Sequence, residues 1–176
     1  MTISLFPTSI ETIKLKVPKN ILIKGLSKKI DFGGSSQIFL KKSKKQFVGQ
    51  VEGEKFKIRL KTSYRNSFKP SINLTFYEFE GYTEINIEYE LEVVTKFFMW
   101  FFISILTIIQ ISILFSKYDD FINNFNIDYI FPMLFFLFLM VFSRVGFYMS
   151  MGHSESIIKK TLLMTRNKYR KENRLN

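Results

Sequence analysis

Residues 97–115 read FFMWFFISILTIIQISILF and carry no charged side chain. At about 1.5 Å of rise per residue, a helix of these nineteen residues extends roughly 28 Å, close to the thickness of the hydrocarbon core of a bilayer. Lys96 and Lys117 flank the run. The stretch lacks the polar face that a surface helix of a soluble protein needs, so it predicts a transmembrane helix.

A second apolar run, residues 129–149, follows a polar connection over residues 116–128. Pro132 lies in its first turn, where the missing N–H of proline costs little. The two runs predict a transmembrane helical hairpin over residues 96–150, with spans at about 97–115 and 129–149.

The charges around this hairpin predict its orientation. The connection holds one lysine and three aspartates, whereas the tail from Gly152 holds seven bases and two acids. Cytoplasmic flanks carry the excess of Lys and Arg, so the N-terminal domain and the C-terminal tail are both expected in the cytoplasm. Residues 151–176 are expected to be a basic, partly helical tail, whose helix lies at the inner membrane interface or, as the alternative, continues the second span as a straight cytoplasmic helix.

Residues 1–95 have the pattern of a β domain. In residues 55–61 every second side chain is basic and the others are Phe56, Ile58 and Leu60, which is the period of a half-buried strand. Further strands are expected near 47–51, 72–76 and 85–91, and earlier at 12–17, with a turn at Lys19-Asn20 and a strand over 21–26. The fold class is therefore α+β: an N-terminal antiparallel meander or small barrel-like sheet, followed by a two-helix transmembrane hairpin.

The net charge of +11 is unevenly distributed. Residues 14–69 hold sixteen bases against three acids, and residues 78–92 hold six glutamates and no base. We expect the basic and acidic faces to pair within the sheet; the alternative is a basic groove for phosphate or nucleic acid. Because the bases lie beside membrane spans, anionic lipid headgroups are the favoured partner and nucleic acid is disfavoured.

Two loops carry candidate binding residues. Arg65, Asn66 and Ser67 join two predicted strands, and they either cap the loop or hold a phosphate or carboxylate. If Arg65 is structural, Glu78 and Glu80 are its expected partners. The second loop is a basic turn that is either solvated or in contact with headgroups. Its candidate residues are Lys41, Lys42, Lys44 and Lys45.

The spans add candidates of their own. Arg144 lies near the inner end of the second run, where it either snorkels to the headgroups or marks a pore, gate or lipid site. Antiparallel packing would place it level with Trp100, within reach of a cation–π contact. Ser104, Thr107 and Gln110 form a polar stripe that either bonds a neighbouring helix or wets a pore in a homo-oligomer.

The residue types for catalysis are sparse. The chain has no cysteine and one histidine, His153, so thiol chemistry is excluded and a metal site is disfavoured. We expect no enzyme activity, no catalytic residue, no metal and no cofactor.

The segments Phe56-Lys57-Ile58, Tyr64–Phe68 and Pro70-x-Ile72, followed by an apolar span, resemble a family of small uncharacterised bacterial two-span membrane proteins. The resemblance covers roughly residues 47–145 and implies architecture and a multi-pass location in the bacterial inner membrane, but no chemistry. The favoured function is a non-enzymatic membrane protein whose cytoplasmic β domain binds a partner protein or anionic lipid. The alternatives are an effector or channel of oligomerised hairpins, triggered by a ligand or partner, and an immunity or accessory subunit.

Overall fold

The computed structural model describes residues 5–32, 45–52, 54–61, 66–116 and 131–174. It is an α+β structure in which a six-stranded sheet precedes two long apolar helices, as the sequence predicts. The elements are β1 (Thr8–Leu15), α1 (Lys19–Ser27), β2 (Ile30–Asp31), β3 (Phe47–Glu52), β4 (Lys55–Leu60), β5 (Pro70–Phe79), β6 (Tyr82–Leu91), α2 (Val93–Ser116) and α3 (Phe131–Glu172).

The strand order of the sheet is β1-β6-β5-β4-β3-β2. Strands β3 to β6 form the predicted antiparallel meander. The structure adds β1, which pairs antiparallel with β6, and β2, which pairs parallel with β3. Among the described strands the order is open, with β1 and β2 at its two ends, so the predicted meander is extended by one strand on each side.

One face of the sheet is apolar and buried. Along β6 the odd-numbered positions are buried and the even-numbered ones are half-buried, so Ile85, Ile87 and Tyr89 point to the core. Phe56 and Ile58 on β4 and Ile72 on β5 share that face. Two helices, α1 and the C-terminal part of α3, cover it and complete the core.

The predicted turn at Lys19-Asn20 and strand over 21–26 are wrong, because this segment is helix α1. The β-branched Ile21 and Ile23 suggested a strand, but Leu22 and Leu26 have the i, i+4 spacing of one helix face, and both are fully buried. The carboxylate of Glu78 accepts a hydrogen bond from the N–H of Lys19 at 3.2 Å. It lies at the helix N-terminus, where a negative charge is favourable.

Of the two arrangements predicted for the tail, the separate interfacial helix is wrong, and the continuation of the second apolar helix is what the structure has. Helix α3 continues without interruption from the apolar run through residue Glu172. Ile158 and Leu162 are 0% and 1% exposed and belong to the same core as the sheet. The tail therefore belongs to the β domain, since its apolar stripe covers a sheet face that would otherwise contact water.

The two apolar helices are long and apolar enough to cross a membrane. The candidate span in α2 covers Val93–Ile113, has a mean hydropathy of 1.8, and has none of its residues buried. The apolar window of α3 has the same mean hydropathy and is 17% buried. The connection between the spans lies outside the described residues.

Candidate functional site

The loop before β5 joins the sheet to both long helices. Asn66 Nδ2 donates to Ser150 Oγ of α3 at 2.6 Å, and Asn66 Oδ1 accepts from the N–H of Phe68 at 2.9 Å. The carbonyl oxygen of Ser67 accepts from Thr95 Oγ1 of α2 at 2.7 Å. These bonds tie together the end of the sheet where β6 passes into α2, a region called the junction below.

The Phe68 side chain packs against α3 at the junction. Its ring lies edge-on to Phe142, with 5.7 Å between centroids. A Cβ on Gly146 would lie 3.1 Å from Phe68 Cδ2, so the glycine permits close approach of the ring. The contacts of Asn66 and Ser67 hold the loop to the helices, which favours the interpretation of these residues as loop caps over that of a phosphate or carboxylate site. Arg65 lies outside the described residues. Its expected partner Glu78 bonds the start of α1, at the other end of β5 from this loop.

Two ion pairs also lie at the junction. Arg59 Nη1 on β4 lies 2.6 Å from a carboxylate oxygen of Glu92, and Lys96 Nζ lies 2.6 Å from Glu90. Asn73 Nδ2 on the intervening β5 donates to Glu90 at 2.9 Å. The Arg59–Glu92 pair is one contact between the basic face of residues 55–61 and the acidic face of residues 84–92, whereas Glu84 pairs with Lys14 on β1 and Glu90 with Lys96 on α2.

The surroundings shift two pKa values at the junction. Burial works against the charged form of Glu90, but the hydrogen bonds from Lys96 and Asn73 outweigh it and hold the pKa of Glu90 below its ordinary value. Burial lowers the pKa of Lys69. The negative charge of Glu92 partly offsets this decrease, and the positive charge of Arg59 adds to it. Lys57 also acts electrostatically on Glu90. Four bases therefore surround two carboxylates, and we call Lys57, Arg59, Lys69 and Lys96 the basic cluster.

A cavity of about 400 Å³ lies at the junction, and the charged residue in its lining is Glu92, the partner of Arg59. Its polar end is formed by Ser67, Glu92 and Thr95. Below this end its walls are apolar and come from the loop and both helices. The wall residues include Phe68, Phe98, Phe102, Ile103, Leu139 and Phe142. No single stretch of sequence encodes this site, because it forms only where three distant segments meet.

The candidate residues of the two apolar helices have surroundings of their own. Trp100 packs edge-on against Phe6, with 5.9 Å between centroids. The hydroxyls of Ser104 and Thr107 donate to carbonyl oxygens one turn earlier in α2, at 2.9 and 2.8 Å. Gln110 and Arg144 are half-buried. The predicted contact between Arg144 and Trp100 stays a prediction.

The basic turn is described only at Lys45. Its amine donates to the carbonyl oxygen of Ile30 at 2.9 Å and lies 5.9 Å from the ring centroid of Phe32. Lys41, Lys42 and Lys44 lie outside the described residues. Lys45 thus anchors the start of β3 to β2, which favours a structural role for this residue.

Sequence reasoning missed a polar contact between α3 and the sheet. The amine of Lys159 lies 2.5 Å from carboxylate oxygens of both Glu11 on β1 and Glu155. These carboxylates raise the pKa of Lys159. The neighbouring Tyr89 hydroxyl is buried, and burial raises its pKa. The alternation of β1 places Glu11 on the inner face with Ile13 and Leu15. An acidic residue on an inner face was the signal in the sequence that it needs a basic partner.

His153 is exposed on α3. Within the described ranges, no three His, Cys, Asp or Glu side chains come together as a metal site.

No protein-family profile, curated protein or solved structure matches the chain.

Proposed function

We propose that the protein is a non-enzymatic membrane-anchored module whose β domain rests on the cytoplasmic surface of the bilayer and binds anionic lipid through the basic cluster. The observation that carries this proposal is the division of α3. Its N-terminal part exposes apolar side chains such as Phe138 (58%) and Val141 (60%), while its C-terminal part supplies Ile158 and Leu162 to the domain core. A helix shared in this way holds the sheet at a fixed distance from the spans.

Anionic lipid is favoured over a protein partner by the place of the basic cluster. Lys96 lies in the first turn of α2, immediately before the apolar run, and pairs with Glu90. Arg59 pairs with Glu92, and Lys69 interacts with both. In an inserted protein this is the depth of the headgroups, where each base near an anionic surface contributes about 1 kcal/mol.

The channel alternative receives no support from the polar stripe. Ser104 and Thr107 are exposed, and their hydroxyls bond to the backbone of their own helix. Hydroxyls satisfied in this way are compatible with surrounding lipid and need no water-filled lumen.

Alkaline extraction of membranes tests the anchoring. We expect the chain to stay in the membrane pellet, and its release into the supernatant would disprove insertion. Because the chain has no cysteine, single cysteines then report orientation to a membrane-impermeant reagent in intact cells. A cysteine replacing Asn123 should be labelled and one replacing Lys16 should not; the opposite pattern would place the domain outside.

Thermal unfolding in micelles tests the lipid preference. Micelles doped with phosphatidylglycerol should raise the unfolding midpoint more than micelles doped with phosphatidylcholine, because a ligand that binds only the folded state stabilises it. The difference should shrink at high salt and in Lys69→Gln. Lys16→Gln, an exposed base outside the junction, is the matched control. Equal midpoints in the two lipids would count against the proposal.

A further inference from the structure

The face of the sheet opposite α1 and α3, called the outer face below, carries opposite charges on the two sides of β5. In one row across this face the register places Glu88 on β6, Asn73 on β5 and Lys57 on β4. Neighbouring strands lie about 4.8 Å apart, so the strands of the acid and the base are separated by roughly 10 Å. Within the described residues, neither Glu88 nor Lys57 forms a salt bridge. Both charges are therefore available to a partner.

Helix α3 shows in which direction the strands run relative to the spans. Ser150 bonds Asn66 at the junction, whereas Lys159 pairs with Glu11, which lies opposite Ile87 in the middle of β6. Over these nine helical residues, about 14 Å of helix, the contact with the sheet moves away from the junction. The first part of α3 is the candidate span, so in an inserted protein both the helix and the strands lead away from the membrane.

Three aromatic rings lie on the outer face at the end of the sheet away from the junction. Tyr77 and Phe79 of β5 are 49% and 48% exposed, and the ring of Phe79 stacks on that of Tyr82 with 5.2 Å between centroids. Phe79 lies nine residues along β5 from Pro70 at the junction, which is roughly 30 Å at the rise of a strand. The membrane is too distant to cover these rings, and exposed aromatic side chains are typical of the centre of a protein interface.

The membrane restricts how two copies of such a chain can be related. Copies with the same orientation in one membrane are related by a two-fold axis parallel to the membrane normal, which here means along β5 and not across it. Rotation by 180° about a line that runs along β5 above the outer face places this face on itself and exchanges the sides of β6 and β4. Glu88 of one copy then lies over Lys57 of the other, and the two Tyr77 rings meet near the axis.

Resting on the proposed anchoring for the direction of the axis, we infer that the outer face of the sheet binds a second copy of this chain, with the two-fold axis along β5. Sheets that pack face to face lie about 10 Å apart, a gap that the side chains of Glu88 and Lys57 bridge together. The interface contains this pair twice, with Tyr77 and Phe79 between the two pairs and the far end of the sheet. The other members of the basic cluster stay at the junction, so the dimer and the proposed lipid contact do not compete for them.

Two other arrangements of copies do not fit one membrane. Antiparallel pairing of two β1 edges needs an axis perpendicular to the sheet, and that rotation places the two junctions at opposite ends. An axis across the strands does the same, and it also lays β6 of one copy on β6 of the other, acid on acid. A partner of different sequence would need the charges of this face in reverse order, whereas a second copy supplies them by the rotation alone.

Native mass spectrometry of the full-length protein, released from micelles, tests the inference through charge reversal. We expect a wild-type dimer. Lys57→Glu and Glu88→Lys each replace two attractive contacts by two repulsive ones, so each should raise the dimer dissociation constant at least about tenfold. An equal mixture of these two variants should form heterodimers, because both pairs are then restored between unlike copies. Lys160→Glu is the matched control, since Lys160 is exposed on α3, which covers the opposite face.

Truncation of a ring tests the aromatic part of the interface. Tyr77→Ala should also raise the dissociation constant at least about tenfold, as expected for an aromatic side chain at the centre of an interface. Leu163→Ala is the matched control, because Leu163 lies on α3 with 41% of its surface exposed. A dimer equally stable in wild type, Lys57→Glu, Tyr77→Ala and both controls would assign the contact to the apolar helices and overturn the inference.

The remaining outcomes separate this inference from the proposed anchoring. Heterodimers in the mixture would support the contact and show that both charge variants fold, whereas a mixture without heterodimers would overturn it. A wild-type monomer that resists alkaline extraction would overturn the dimer and leave the anchoring intact. A dimer with the heterodimer preference, in a chain that alkali releases from membranes, would support the contact between sheets and overturn the anchoring.

Discussion

The two parts of helix α3 differ in which of their side chains are buried, although they form one continuous element. From Phe131 to about Met149 the helix is apolar and largely exposed, apart from Ser143 and Arg144. From Ser150 to Glu172 it is charged on one side and buried on the other. Mean hydropathy identifies the first part, because apolar side chains on every face are typical of a helix that crosses a membrane. The second part is recognised by burial at every fourth residue, at Ser154, Ile158 and Leu162, which forms the one helix face that packs on the sheet. The end of the apolar run in the sequence is therefore not the end of the helix; it marks the point where the helix begins to pack on the sheet.

Deleting the second part of α3 should have the largest effect on this comparison. A stop codon after Met151 removes Ile158 and Leu162 from the core. Each loses about 1.5–3 kcal/mol of burial, against a total stability of roughly 5–15 kcal/mol for an ordinary domain. We expect the remaining β domain to be degraded in limited proteolysis while the spans stay in the membrane. A stop codon after Glu172 is the control and should leave the domain resistant. A protease-resistant domain in the shorter chain would show that the sheet does not need α3.

Single substitutions on neighbouring positions sharpen the same point. Leu162 is 1% exposed and Leu163 is 41% exposed. Leu162→Ala should lower the free energy of unfolding by about 2–5 kcal/mol, because it leaves a cavity between α3 and the sheet. Leu163→Ala should change it by less than about 1 kcal/mol. Chemical denaturation in micelles, followed by circular dichroism, measures both. Equal losses would mean that the helix is rotated relative to the structure.

The elements predicted from sequence are those with a short-range signal. The spans follow from uninterrupted apolar runs, and the meander follows from alternation at positions such as Phe56, Ile58 and Leu60. Helix α1 was missed because Ile21 and Ile23 favour strand locally, while the burial of Leu22 and Leu26 depends on a distant sheet. The junction was only partly predictable. Asn66 and Ser67 stood out as loop residues, but their partners Ser150 and Thr95 lie far along the chain.

Substitution of two glycines tests whether the second part of α3 is tightly packed where it faces α1 and loosely packed at Gly152. A Cβ on Gly25 of α1 would lie 2.5 Å from Thr165 Oγ1, whereas a Cβ on Gly152 would meet nothing within 4 Å. Gly25→Ala should destabilise the domain by about 1–2 kcal/mol, since overpacking exceeds the gain in helix propensity. Thr165→Ala in the same chain should recover most of this loss. Gly152→Ala should instead stabilise by up to about 1 kcal/mol. A stabilising Gly25→Ala in the thermal midpoint would indicate that α1 and α3 lie further apart.

The smallest expected effect lies at the junction, where the two parts of α3 meet the start of α2. The pKa of Glu90 is held below its ordinary value of 4.5, after the cost of burial, by hydrogen bonds from Lys96 and Asn73. The ionised carboxylate of Glu90 is therefore stabilised in the folded state relative to the unfolded chain, and this adds to the free energy of unfolding. This contribution is fully present above the unfolded pKa and is lost as the pH falls through the lower folded pKa.

The half-buried position of Glu90 keeps the contribution to about 1 kcal/mol or less. We expect wild-type stability to decline more steeply than that of Glu90→Gln as the pH is lowered from about 5 to 3, and the two curves to run parallel above that window. Glu80→Gln is the matched control, because Glu80 is exposed at the turn that joins β5 to β6, away from the junction. Denaturation midpoints measured across this pH range decide the matter. A constant difference between wild type and Glu90→Gln at every pH would mean that Glu90 acts through packing and not through its charge, and the ion pair with Lys96 would then have no measurable part in holding the sheet to α2.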